Sequence, residues 1–528
     1  TLKLGDAGEI TLVNVGNDDL AAVDMRAYAA GSGGSLRIRT AADIQIGGAM
    51  LADPAVLYLP ATMFAERGFS SVRIDPQGSV VVPDKVEVTQ SPVGVELTGS
   101  RLSGLATGLR IDDVGRLRVL DLQYRLERDA TLIKIDADKT IRIGADARLA
   151  TDVGGSIELT SSAASGSPSI QIDGAIDAPA GSVRITAPSI VLGSAARVTA
   201  TGVAAIYADP GKRLRTGQVL DGGSVILSGA MTLARSTIDV SGAAGTIDNP
   251  ARRRGVIAPL QLFSNGGTIT LSGENGQGSR VDAVLSAHGG GGGASGGALT
   301  IDDSNSSGSG SSLYVYGAAT DADIPGHSAS FKVSDLVLSN GGFASISLVA
   351  KNGLELADGV SLNLPTTAVS VTAPTIFAST AGAIAQIRAA YISLYNGNGA
   401  LAPVAPAAGK LLLEASLIDI GNAAIRGFAE TELAAADIRF VGQQVNNDYR
   451  ALLDVDGALV LRAAQVYPAS TVTATVRAAD RITVQQNGTA GLIYSAAGAL
   501  VLEAPVIEQN GTLRVPFGSI TLKATDRP

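Results

Sequence analysis

Residues 498–524 read GALVLEAPVIEQNGTLRVPFGSITLKA, and the phrase from Gly498 to Ala504 returns from Gly518 to Ala524 at an offset of 20 residues. Inside each copy the apolar positions alternate, Leu500 with Leu502 and Ile520 with Leu522, which is the period of a strand with one buried face. Stacked copies would set Leu500 against Ile520 and Leu502 against Leu522, with Pro505, Gly511 and Pro516 marking the corners between them.

The same wording runs through the chain. GEITL starts at Gly8, GSLRI at Gly34, GSIEL at Gly155, GSVRI at Gly181, GSVIL at Gly223, GTITL at Gly267 and GALTI at Gly297. GKLLL follows at Gly409, GALVL at Gly457 and Gly498, and GSITL at Gly518. A second phrase sets Gly-Phe before a hydrophobic strand at Gly68, Gly342 and Gly427, and a third sets Ala-Pro there at Pro188, Pro374 and Pro505. No long stretch has helical periodicity. Short strands, a turn-rich coil roughly every 20–26 residues and no covering helices predict an all-β parallel β-solenoid, whose coils bury their apolar positions only by stacking. The glycines are expected to supply turns, including positions with φ > 0.

A β-sandwich array is the alternative. It would use Asn352-Gly353, Asn396-Gly397, Asn510-Gly511 and Asp221-Gly222 as hairpin turns. Those pairs equally suit left-handed corners, and the recurrence at short period favours the solenoid. The chain reads as one elongated domain over residues 1–528, irregular at about 49–150, with a Gly/Ser-rich excursion at about 285–330 and a loop at 396–408.

Composition sets limits. There are 64 Gly, no Cys, no Trp and two His among 528 residues, with 45% hydrophobic but 4% aromatic content; Val, Ile, Leu and Ala must make a thin, repetitive core. Absence of Cys excludes disulfides and thiol chemistry. A net charge of −9 disfavours nucleic acid as a partner. No apolar run is long enough for a membrane-spanning helix, and the opening TLKLGDAGEITLVN is strand-like rather than signal-like, so the chain is read as a mature or internal portion of something longer.

The phrases IDIGNAAIRGFAETELAAADIRFVG (418–442), GALVLRAAQVYPAS (457–470), GALVLEAPVIEQNGTLRVPFGSITL (498–522) and ERGFSSVRIDPQGSVVVP (66–83) resemble large secreted bacterial exoproteins of the filamentous-haemagglutinin type. The resemblance implies a right-handed parallel β-helix, two-partner secretion through an outer-membrane transporter, and a secreted or cell-surface adhesive filament. Such exoproteins begin with a signal peptide and a secretion domain with Asn-Pro-rich motifs; neither is seen here, so the chain is read as an internal shaft portion or as one whose leader has been removed.

Chemistry is sparse. Asp112-Asp113 and Asp302-Asp303 are the carboxylate pairs a glycosidase would need, and both also suit solvated turns, the reading preferred here. His288 and His327 fall in loop-like stretches, and Gly293-Ala294-Ser295-Gly296-Gly297 matches Gly-x-Ser-x-Gly without the helix that should follow. GGGGGASGG (289–297) lacks the Lys-Ser/Thr ending of a phosphate loop and is read as a flexible connector. DADKT (136–140) and DSNSSGSGSS (303–312) fit no calcium loop. No catalytic residue, cofactor or metal is assigned.

One charge constellation stands out. Lys212, Arg213 and Arg215 precede Arg252, Arg253 and Arg254 by 40 residues, which puts both groups on one side of a stack as a patch for anionic glycans or as plain solvated charge. The expected function is a non-enzymatic adhesin or filament subunit. Its expected partners are host-cell, bacterial-surface or matrix glycans and proteins, with end-to-end self-association possible in principle. The alternatives are a polysaccharide-degrading β-helix enzyme or the passive stalk of a toxin-delivery exoprotein.

Overall fold

The computed structural model describes residues 7–22, 24–28, 33–91, 93–97, 115–119, 129–162, 169–209, 211, 214–250, 257–273, 278–304, 312–317, 327–395, 408–445 and 448–526. The chain is all-β. The helices among the described residues are the short Asn17–Ala22, Thr62–Glu66 and Asp335–Ser339, none long and apolar enough to cross a membrane. Two compact units form, one from Thr1–Thr270 with Ala283–Gly297 and the other from Leu271–Asp282 with Ala298–Pro528.

In the first unit, strands Glu9–Val13, Gly34–Thr40, Phe69–Pro76, Leu132–Ala137, Ser156–Ser161, Ser182–Leu192 and Ser224–Leu233 pair in parallel, each with the next. Because side chains alternate across a strand, the register lines up one interior column as Ile10, Leu36, Val72, Ile133, Ile157, Val183 and Val225. A further sheet stacks Val88, Leu149, Ile176, Val198, Ile238 and Leu285. From Val88 to Ile238 this column has no solvent exposure.

The second unit repeats the plan. Leu299, Ile346, Val369, Ile392, Ile418, Ile438 and Val466 form one column; Leu362, Ile387, Leu413, Leu433, Leu461 and Val484 form another. At its C-terminal end Leu500 pairs with Ile520 and Leu502 with Leu522, as the opening stretch predicts, and the chain bends at Pro505 and Gly511. Parallel neighbours along both stacks rule out the sandwich. Among the described residues antiparallel pairing is confined to local hairpins such as Val203–Ala208 with Arg215–Leu220 and Ala244–Pro250 with Ile257–Phe263.

The phrase-initial glycines serve a purpose the sequence does not announce. Gly155, Gly181, Gly223, Gly267 and Gly297 do not take positive φ. A Cβ on Gly181 would press into the carbonyl oxygen of Gly155, one on Gly223 into Gly181, one on Gly267 into Gly223 and one on Gly297 into Gly267, each well inside 3.0 Å. Glycine is required because backbone meets backbone between rungs. Left-handed backbone falls just before the phrase at Gly154 (φ 78) and also at the non-glycine residues Ala180 (φ 50), Ala497 (φ 59) and Phe517 (φ 55), while Gly68, Gly342 and Gly427 of the Gly-Phe phrase have positive φ as expected. The Ala180 amide donates to Thr201 O at 2.7 Å and the Ala497 amide to Pro516 O at 2.9 Å. Of the expected Asn-Gly and Asp-Gly corners, only Gly353 has positive φ among the described residues; Asn396-Gly397 lies outside them.

Two expected irregular regions contain regular structure. Strands Val284–Ser286, Ala298–Asp303 and Leu313–Tyr316 lie within 285–330. The glycine run is a bonded turn: the Gly290 amide donates to Ser264 O at 2.8 Å and the Ala294 amide to Gly291 O at 2.9 Å. Gly291, Gly292 and Gly293 all have positive φ, and a Cβ on Gly292 would enter the Phe263 ring. The run is a bed for that ring, not a free connector. Residues 49–150 likewise carry several rungs of the first unit, and 396–407 lie outside the described residues.

Candidate functional site

Outward side chains in both units mostly neutralise one another between rungs. Arg37 pairs with Asp75 at 2.6 Å, Lys134 with Glu158 at 3.0 Å, and Arg148 with both Glu87 (3.0 Å) and Asp177 (2.6 Å). In the second unit Lys410 bridges Glu430 and Glu432, which also takes Arg462, while Glu503 sits between Arg477 and Lys523. Parallel strands about 4.8 Å apart make such ladders a geometric consequence of register. Hydrogen bonds from Lys523 and Arg477 hold the Glu503 carboxyl below its ordinary range.

Four acids are buried among the described residues, Asp303, Asp335, Glu355 and Asp419, and Glu355 gathers the densest set of polar neighbours. Glu355 occupies the outward position of strand Leu354–Leu356, yet its side chain is only 5% exposed. Its carboxylate is a hub. Ser312 Oγ donates to Oε2 at 3.1 Å, Ser379 Oγ donates to Oε1, and His327 Nε2 contacts Oε1 at 3.1 Å. The imidazole stacks on Tyr314 with centroids 3.9 Å apart, and Tyr314 is the register partner of Glu355 on the neighbouring strand. Burial, then the Glu355 charge, raises the Tyr314 phenol. Beside it the Tyr316 hydroxyl donates to Asp282, which also accepts from Arg280 Nε at 2.5 Å; burial and the bond to Asp282 push the Tyr316 phenol up.

Next to the strand that carries Tyr314 the stack takes a backward step. Strand Phe331–Ser334 pairs in parallel with both Ser279–Val281 and Leu313–Tyr316, so it lies between two strands that precede it in the chain. His327 stands four residues before that strand.

This arrangement does not make a hydrolytic relay. A serine nucleophile must give its proton to an imidazole that a carboxylate orients. Here the single O–H of Ser312 and of Ser379 is directed to the carboxylate, so the acid stands where the imidazole would have to be. The group reads as a locking cluster for the backward step.

The sequence-predicted candidates are dispersed. Asp302 accepts the Ser304 amide at 2.8 Å, a turn-capping role; Asp303 is buried at 3% exposure, and Asp112-Asp113 lie outside the described residues. The Ser295 amide donates to Asn265 Oδ1 at 2.9 Å within the glycine turn, with no helix following. The His288 amide donates to Ser241 Oγ at 3.1 Å. Among the described residues no three His, Asp or Glu side chains converge to hold a metal.

Of the basic constellation, Arg215 alone is described; Lys212, Arg213, Arg252, Arg253 and Arg254 lie outside the described residues. Arg215 makes a two-point contact with Asp248, through Nη2 at 2.7 Å and its own backbone amide at 2.8 Å. That contact ties hairpin 203–220 to hairpin 244–263. A Cβ on Gly245 would meet Ile206 and Ala204, so the two hairpins also pack closely. Arg215 holds the Asp248 carboxyl below its ordinary value of 3.8.

Sequence reasoning missed Glu355, Ser312, Ser379 and Tyr314. The only signal was a carboxylate centred in the apolar triplet LEL; nothing in the sequence says what covers it. No family model, no curated protein and no solved structure matches the chain.

Proposed function

We propose that the chain is the shaft portion of a secreted or surface-displayed bacterial adhesin of the filamentous-haemagglutinin type, built as a right-handed parallel β-helix with roughly 20–26 residues per coil. The observation that carries this reading is the rung register: glycines 181, 223, 267 and 297 each dock against the carbonyl of the one before, starting from Gly155, and the apolar columns continue on both sides of them. Such a stack supplies stiffness and display surface. The outward charges largely pair between rungs, and the buried Glu355 is occupied by structural donors, which supports a non-enzymatic role.

Attachment is assigned to anionic glycans at the paired hairpins. The residues joining their strands include Lys212, Arg213, Arg252, Arg253 and Arg254, and the Arg215–Asp248 contact brings the two hairpins together. Guanidinium groups suit sulfate and phosphate through multiple donors.

Beads coated with the protein should be retained on heparin and lipopolysaccharide surfaces above albumin-coated beads, and replacing Arg252, Arg253 and Arg254 with Ser should lower that retention. Retention unchanged by the substitutions removes the patch, and no retention on glycan, matrix or cell surfaces removes the adhesin reading. New reducing ends or unsaturated uronates released from polysaccharides would establish the enzyme alternative instead.

A further inference from the structure

The chain has no Cys, no Trp and only four Met, so few side chains can take up oxygen. Three of the four methionines meet at one place. Met25, Met50 and Met63 line a cavity of about 430 Å³ in the first unit, together with Leu20, Tyr58 and Pro60. Their exposures differ sharply: Met50 is 55% exposed, whereas Met25 and Met63 are 7% exposed. The fourth, Met231, is 1% exposed in an interior column beside Ile190.

We propose that this cavity is an oxidation site, at which Met50 takes the first oxygen atom from a peroxide and the resulting sulfoxide opens Met25 and Met63 to the same reaction. A sulfur lone pair attacks one peroxide oxygen and the O–O bond breaks. Hydroxide leaves and removes the proton from the sulfur-bound oxygen, giving sulfoxide and water. The thioether is oxidised by two electrons and hydrogen peroxide is reduced.

The consequence follows from polarity. A flexible apolar thioether becomes a polar group, which no longer suits a wall shared with Leu20 and Pro60. Met50 adjoins Ala49 and Gly48, and Gly48 O accepts the Tyr58 hydroxyl at 2.9 Å. Tyr58 is tied in turn to Asn17, whose Oδ1 accepts the Tyr58 amide at 2.8 Å and whose Nδ2 donates to Val56 O at 2.9 Å. Movement at Met50 therefore bears on the contacts that hold helix Asn17–Ala22 against strand Val56–Leu59.

The test treats the folded chain with hydrogen peroxide and follows each methionine by peptide mass spectrometry. Initial oxidation of Met50 should be roughly eightfold faster than that of Met25 or Met63, the ratio of their exposures of 55% and 7%, with Met231 slowest. Met25 and Met63 should accelerate once Met50 has reacted, and exchange of the Tyr58 amide should quicken with them. In M50L, a volume-conserving change, both should stay slow throughout. In M50Q, which sets a polar group at the same place, both should react quickly from the start. Equal initial rates for the three overturn the proposal. So do Met25 and Met63 rates that ignore the state of residue 50.

Discussion

Two sets of glycines in the first unit look alike in sequence and answer to different forces. Gly181, Gly223, Gly267 and Gly297 recur one per rung, with ordinary φ, and each is kept small by the carbonyl of the phrase-opening glycine in the preceding rung. Gly291, Gly292 and Gly293 are consecutive and have positive φ, and the first two make room for the Phe263 ring. The first set is constrained by backbone that cannot retreat; the second by local conformation and one side chain that can turn aside. The same residue type therefore carries large and modest energetic stakes within one unit.

Substitution should separate them. Gly181→Ala sets a methyl against the Gly155 carbonyl and should cost about 4 kcal/mol or prevent folding of the unit, read as a loss of urea midpoint. Ile185→Ala, at a fully buried position of the same rung, should cost about 2–5 kcal/mol through the cavity it leaves. Gly292→Ala should cost less, about 1–2 kcal/mol for a left-handed alanine plus the displacement of Phe263. In a Phe263→Ala background the Gly292→Ala penalty should shrink, while that of Gly181→Ala should not, and a double-mutant cycle measures the difference. Equal penalties for Gly181→Ala and Gly292→Ala would erase the distinction.

The smallest expected effect is electrostatic and lies at the hairpins beside the glycine turn. Asp248 is held below its ordinary value by the side-chain and backbone hydrogen bonds of Arg215. A depressed acid contributes stability above its unfolded value and loses it as pH falls through its folded value. Hairpin protection in hydrogen exchange should accordingly hold at neutral pH and decline only below the ordinary carboxylate value of 3.8. Asp248→Asn should remove that component of the decline; a decline unchanged in the variant refutes the assignment.

Rhythm was the legible part of this chain. Alternation such as Leu500/Leu502 over Ile520/Leu522 places side chains on one face by chain geometry alone, and the recurring phrase names the partner rung. What stayed hidden depends on partners distant in sequence. The reason for Gly181 resides in the carbonyl of Gly155, and the reason for Gly292 in the ring of Phe263. Glu355 looked like any outward carboxylate because its cover, Ser312, Tyr314, His327 and Ser379, comes from residues distant in sequence, which no local pattern encodes. The left-handed corners at Ala180, Ala497 and Phe517 were equally silent, since alanine and phenylalanine carry no turn signature.

The glycine ladder also makes chain length a quantity that changes in whole steps. Joining Gly155 directly to Ser182 would restore the phrase GSVRI unaltered and remove one complete period. Strand Leu132–Ala137 would then meet Ser182–Leu192 with the side-chain parity it had toward Ser156–Ser161. Recombination between such phrases would lengthen or shorten the stack without asking any remaining residue to change its neighbours' chemistry, whereas a cut inside a rung would turn every apolar column beyond it out of alignment.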